Sequence, residues 1–145
     1  MSIGDTIKNP IIIKNKLGID KENISEKILQ RLILENIESF MKELGDGFCF
    51  IGSEYKIKIN NTYNYIDLLL FNYIYNSFVV VELKVTEVRK EHIGQIQIYM
   101  NYIDKHIKSI TNNKTIGIIV ARRDNHYYIE YSSDKRIYTR DYELI

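Results

Sequence analysis

Between Tyr63 and Lys84 the chain carries two runs of strand length, Ile66–Phe71 and Phe78–Lys84, that are apolar throughout except at Asp67, Glu82 and Lys84. Runs this short and this apolar read as central strands, covered on both faces of a sheet. An isolated ion in such a setting costs several kcal/mol unless it is paired or metal-bound. Any fold this chain adopts must therefore bring the three charges to partners. Glu82 and Lys84 are two apart on a strand and share a face. If the two runs pair antiparallel through the turn at Asn76-Ser77, Asp67 lies opposite or diagonal to Glu82 on that face.

The flanking segments supply the covering layers. From Ile24 the apolar positions Ile28, Leu29, Leu32, Ile33, Ile37, Phe40, Met41 and Leu44 recur at threes and fours, with Asn23 and Glu26 in capping-box spacing and Gly45 as a stop. This pattern predicts one long first helix. Phe48–Ile51 and Tyr55–Ile59 read as extended, and the Asn60-Asn61 pair suits a tight hairpin turn into Tyr63–Phe71. Beyond the polar stretch Thr86–Glu91, Ile93, Ile96, Met100, Ile103 and Ile107 mark the buried face of a second helix. Thr115–Ala121 is a further buried strand, joined to the sheet by a parallel crossover. Asn125–Tyr131 fits a strand or a helical turn, and Ile137–Tyr142 a short last edge strand. The order helix, three strands, helix, strand predicts an α/β fold with a mixed central sheet flanked by helices.

A chain of 145 residues with 45% hydrophobic content suffices for a single core. Residues 1–20 hold the only proline, Pro10, show no sustained period and read as an N-terminal arm or linker, with pairing to a sheet edge open to it; residues 21–145 form the domain. No apolar stretch approaches the ~20 residues needed to span a bilayer, and the first ten residues lack a signal pattern, so a cytoplasmic location without membrane contact is expected. The single Cys49 excludes an internal disulfide and reads as a small core residue. A net charge of +1 gives no global field for nucleic acid, so any phosphate-binding surface must be local. Lys90, Arg122 and Arg123, at the ends of the second helix and the strand after it, are the candidates. The 12 tyrosines carry no functional weight by themselves, and His92, His106 and His126 read as scattered surface residues.

Two carboxylates and an ammonium at one spot suit a hard cation, since magnesium takes one or two carboxylates plus water and phosphate oxygens. On that reading Asp67 and Glu82 bind Mg2+ or Mn2+, the Leu83 carbonyl between acid and lysine adds a ligand, and Lys84 acts on the attacking water in phosphodiester hydrolysis. The same three residues equally fit a buried ionic network that only fixes strand register. Glu35, at the edge of the first helix's buried stripe, is either a further acidic ligand or a solvated flank residue. Gln95 and Tyr99, four apart, aim an amide and a hydroxyl the same way from the second helix.

At these residues the sequence resembles the PD-(D/E)XK nuclease superfamily, and more narrowly its YhcG-type nuclease domain. The matching segments are Leu34–Phe50, Tyr65–Phe71, Val79–Lys84, Gly94–Asp104 and Ile116–Val120. By that resemblance Asp67 takes the place of the superfamily aspartate, Glu82 and Lys84 the acid-x-lysine element, Glu35 the helical acid, and Gln95 with Tyr99 the Gln-x-x-x-Tyr element of RecB-like nucleases. It implies a restriction-endonuclease-like core, a four-stranded mixed sheet between helices, and a metal-dependent nuclease acting on nucleic acid, DNA before RNA. A separate N-terminal DNA-binding module is the further partner it suggests, Ile7–Ile19 looking like the family's linker from that module; a homodimer is a partner open to the chain independently of the resemblance. The alternative from a different class is a non-catalytic nuclease-fold subunit that binds DNA or a protein partner.

Overall fold

The computed structural model describes residues 2–123 and 134–145. Its elements are β1 (Ile11–Ile13), α1 (Glu26–Glu35), α2 (Ile37–Leu44), β2 (Phe48–Ile59), β3 (Thr62–Asn72), β4 (Ser77–Glu87), α3 (Lys90–His106), β5 (Ile116–Arg123) and β6 (Ile137–Leu144). Among the described residues they build one six-stranded sheet in the order β1-β6-β5-β4-β3-β2. Strands β2, β3 and β4 are antiparallel neighbours, whereas β4, β5, β6 and β1 run parallel. On one face Leu29, Leu32, Ile33, Phe40 and Leu44 of α1 and α2 pack against Leu68, Leu70, Val79, Val81 and Leu83. On the other, Ile96, Met100 and Ile103 of α3 cover Leu69, Val80 and Ile119. The apolar runs of β3 and β4, Leu68–Leu70 and Val79–Leu83, are thus buried on both faces, and α3 is the crossover that lets β4 and β5 lie parallel.

The long first helix is two. Ser25, not Asn23, caps α1, its hydroxyl accepting the Ile28 N–H at 3.1 Å. At Asn36 the backbone leaves helical geometry (φ −128°, ψ 39°), and its side-chain amide donates to the Leu32 carbonyl at 3.2 Å. A threes-and-fours apolar pattern cannot reveal such a break, because both halves bury their stripes in one layer. Nor is the last strand an edge: β6 lies between β5 and β1, with Ile11 opposite Tyr142. The arm residues Ile3, Ile7, Ile11 and Ile13 are buried, and the Arg140 guanidinium holds the carbonyls of Gly4 at 2.8 Å and Ile7 at 3.3 Å. Cys49 is exposed rather than in the core, since β2 is the other edge and Phe50 and Ile51 beside it are uncovered too. Ile107 falls at the end of α3 and is 38% exposed. The stretch Asn125–Tyr131 lies outside the described residues.

The β2–β3 hairpin turns over midway. Its tip uses left-handed Asn60 (φ 49°) and Asn61 (φ 66°), which match the right-handed twist of the arms. Nearer the core, Ile57 and Ile66 pack in the α3 cluster together with Leu69, while Leu68 and Leu70 pack on the opposite side. The inside-outside alternation therefore slips by one at Asp67. Facing it across β2, between the pairs Ser53–Leu68 and Tyr55–Ile66, is Glu54, itself in the left-handed region at φ 44°.

Candidate active site

The ladder between β3 and β4 runs from Asn72–Ser77 to Leu68–Val81 and then stops. One more step would pair Asp67 with Glu82. Instead the side chains take over: the Asp67 N–H donates to Glu82 Oε2 at 2.9 Å, and the Leu83 N–H donates to Asp67 Oδ2 at 2.8 Å. Each carboxylate satisfies a main-chain donor left open where the strands part. On its other side β4 stays zipped to β5 through Glu82–Ile119, Leu83–Val120 and Lys84–Ala121. The opening thus lies between β3 and β4 alone. From α1, Gln30 reaches in, its amide donating to the Asp67 carbonyl at 3.1 Å.

Burial dominates the electrostatics. Glu82 is only 4% exposed, and loss of water, followed by the nearby Asp67 charge, pushes its carboxyl up to about 8 against the hydrogen bond and the Lys84 charge that pull it down. Asp67 is raised for the same first reason, opposed by the Leu83 N–H and by Lys84. Two acids that resist ionising together are suited to a divalent cation, which favours the charged form of both. Among the described residues no three carboxylate, imidazole or thiol groups gather closely enough to enclose an ion by themselves.

Lys84, with its side chain 15% exposed, places Nζ 3.9 Å from Glu26 Oε1. Glu26 also raises both Asp67 and Glu82 by its charge. The acid that α1 brings to the sheet is therefore Glu26, not Glu35. Glu35 sits nine residues further along α1, ~13 Å at 1.5 Å per residue, and is ion-paired to Arg31 Nε at 2.9 Å. Its place at the C-terminal end of α1 removes it from the site. Tyr99 is buried on α3, and burial first, then the Glu82 and Asp67 charges, raise its hydroxyl against the neighbouring Gln95 amide, which lowers it. Gln95 and Tyr99 border an open groove with Ile59, Asn64, Gly94 and Ile98. Lys90 is exposed at the start of α3. Arg122 is paired with Glu22, and it and Arg123 line a shallow groove with Arg89, Thr86 and Glu87. Glu26 and Gln30 were not legible as site residues, because in sequence one reads as a helix cap and the other as an ordinary helix-face polar residue.

Comparison with known proteins adds four findings. The family model described as YhcG PDDEXK nuclease domain matches residues 4–145. YhcG of Escherichia coli (strain K12), a nuclease by name, is 30% identical over 101 residues, covering 70% of this chain. The chain spans 27% of that relative's length. A repair endonuclease from Pyrococcus abyssi superposes with a TM-score of 0.59 at 21% identity, over 82% of this chain and 47% of its own. EndoMS in complex with double-stranded DNA gives 0.60 at 20% identity, over 88% and 46%. These likenesses bear out the restriction-endonuclease-like fold, with β1 and β6 extending the four-stranded core. The chain belongs to the YhcG PDDEXK nuclease domain family.

Proposed function

We propose that the domain hydrolyses phosphodiester bonds in nucleic acid, DNA in the first instance, at the opening between β3 and β4 and with the help of a divalent ion, magnesium or manganese. The observation that carries this reading is the pair of half-buried Asp67 and buried Glu82, each braced by main chain of the opposite strand, within reach of the Lys84 charge. Asp67 and Glu82 would hold the ion with the carbonyl of Leu83. A strand residue directs its N–H and C=O to the same edge, and the Leu83 N–H already points to Asp67. The ion, when bound, supplies Lewis-acid charge to the phosphate oxygens and keeps both acids ionised.

The chain's own groups do the remainder. Lys84, as an ammonium, orients a water and the phosphate it attacks; the water oxygen bonds to phosphorus, the bond from phosphorus to the leaving sugar oxygen breaks, and solvent takes one proton and returns one. Glu26 fixes the Lys84 ammonium. Tyr99 and Gln95 line the approach along α3, and Gln30 holds the Asp67 backbone in place. Lys90 and Arg123 are the rim cations for the nucleic-acid backbone, with Arg122 available once it exchanges Glu22 for phosphate.

The test is incubation of the chain with linear, circular, single-stranded and branched DNA, and with RNA, in magnesium, manganese or EDTA, alongside Asp67→Asn. Cleavage should need the metal and vanish in the variant. Binding without cleavage by a folded wild type on every substrate would favour a non-catalytic subunit.

A further inference from the structure

The distal half of the β2–β3 hairpin carries a patch that the hydrolytic site does not use. Lys56 pairs across the strands with Tyr65, and Lys58 with Tyr63, so all four side chains stand on one face. All four are exposed, Tyr63 at 53% and Tyr65 at 52%, although rings of this size favour burial. Lys56 Nζ lies 4.0 Å and Lys58 Nζ 5.7 Å from the centre of the Tyr63 ring. Among the described residues neither lysine forms an ion pair, so both charges remain available to an anion.

We infer that this face is a binding track for a single-stranded stretch of the substrate nucleic acid, the lysines meeting phosphates and the tyrosines stacking on bases. The inference rests on the proposed nuclease reading and names the form of substrate the site takes. Aromatic rings interleaved with cations are the surface that binds unpaired strands, since any base offers a π-face while a paired base offers none outside the stack. At a rise of about 3.3 Å per residue Tyr65 stands ~7 Å and Tyr63 ~13 Å from Asp67 along β3, on the hairpin face turned from α3, so the track adjoins the site from the side opposite the Gln95–Tyr99 groove. The slip in alternation at Asp67 and Glu54 is what turns these four side chains away from α3 and into the open. Lysines on an edge strand also discourage strand addition by another chain. That role alone predicts self-association on their removal and no effect on nucleic acid.

The experiment measures binding of fluorescent single-stranded and duplex oligonucleotides in EDTA by the full chain and by three double variants, Tyr63→Leu with Tyr65→Leu, Tyr63→Phe with Tyr65→Phe, and Lys56→Gln with Lys58→Gln. Melting and sedimentation confirm fold and oligomeric state. Leucine keeps the apolar surface but loses the ring, so it should weaken single-strand binding by roughly tenfold or more while phenylalanine restores it. The lysine pair should lower the slope of log affinity against log salt by about 1.4. Wild-type affinity in the leucine variant, a stronger preference for duplex, or self-association as the sole change in the lysine variant overturns the track. Magnesium-dependent cleavage by the same proteins is read separately. A wild type that cleaves while all variants bind normally refutes the track and keeps the nuclease; single-strand binding that depends on the rings, without cleavage, does the reverse.

Discussion

Asp67 and Glu82 stand where the next rung of the β3–β4 ladder would be, and the Glu82 carboxylate accepts the Asp67 N–H at 2.9 Å in its place. The acids of the site therefore double as backbone partners of the strands they sit on. Burial and the Asp67 charge raise Glu82 from 4.5 to about 8, so between those values the folded chain keeps a proton that the unfolded chain releases. The stability this group contributes is full below 4.5, declines as pH rises, and is exhausted above about 8. In EDTA the melting temperature of the wild type should fall relative to Glu82→Gln over that interval, and magnesium should oppose the fall. A difference between the two proteins that stays constant across the interval would show that Glu82 ionises normally.

Glu26 and Glu35 occupy opposite ends of α1, and only Glu26 meets Lys84. Glu26→Gln should lower metal-dependent cleavage by about 10- to 100-fold, the usual effect of removing a group that orients a site residue. Glu35→Gln loses an exposed ion pair and should leave the rate within roughly twofold while costing less than ~1 kcal/mol of stability. Parallel rate measurements on the two variants decide between the ends of the helix. The reverse ranking would restore Glu35.

The central strands were legible because burial on two faces leaves no tolerance for stray charge. Asp67, Glu82 and Lys84 stood out against Leu68, Leu69 and Val79 to Val81, and strand period placed them together. What escaped was whatever depends on long-range packing. The break at Asn36 leaves the apolar stripe intact, and β1 is too short to show a period before it meets β6. Glu26 was hidden by its position in the first turn of a helix, where acids are favoured for capping alone. Helical spacing at the edge of the buried stripe, and then the resemblance to a family's helical acid, pointed to Glu35, and only the direction of α1 across the sheet separates the two.

Gly117 on β5 lies directly against α3. A β-carbon there would lie 2.6 Å from Met100 Sδ and 3.0 Å from Ile96 Cδ1, both on fully buried side chains. Gly117→Ala should cost about 1–3 kcal/mol as the helix is forced outward. Because α3 carries Gln95 and Tyr99, cleavage should decline along with the denaturation midpoint. An unchanged midpoint would mean that Met100 repacks without moving the helix.

Tyr142 is fully buried on β6, and its hydroxyl has no hydrogen-bond partner among the described residues. Burial, opposed by the Arg122 charge, pushes this phenol up to about 12, so it stays neutral throughout the working range. An unsatisfied buried hydroxyl costs about 1–3 kcal/mol, and Tyr142→Phe removes it while keeping the ring that Lys21 covers at 5.1 Å. Urea denaturation should show the variant more stable by about 1 kcal/mol. A loss of stability would reveal that the hydroxyl has a partner.

Lys84 separates catalysis from mere binding. Its ammonium lies 3.9 Å from Glu26 and lowers the tendency of both Asp67 and Glu82 to hold protons. If it acts mainly on the transition state, Lys84→Ala should reduce the cleavage rate by ~10²-fold or more while affinity for the same oligonucleotide changes little. Its removal also leaves buried Glu82 and half-buried Asp67 without their cation, so the variant should melt lower in EDTA and recover part of the difference in magnesium. Comparing single-turnover rates with folded enzyme in saturating excess over substrate for both proteins keeps folding and binding out of the result. Equal rates would remove Lys84 from the reaction and leave it a structural counter-charge; a slower rate with unchanged affinity assigns its charge to the step in which the phosphorus–oxygen bond breaks.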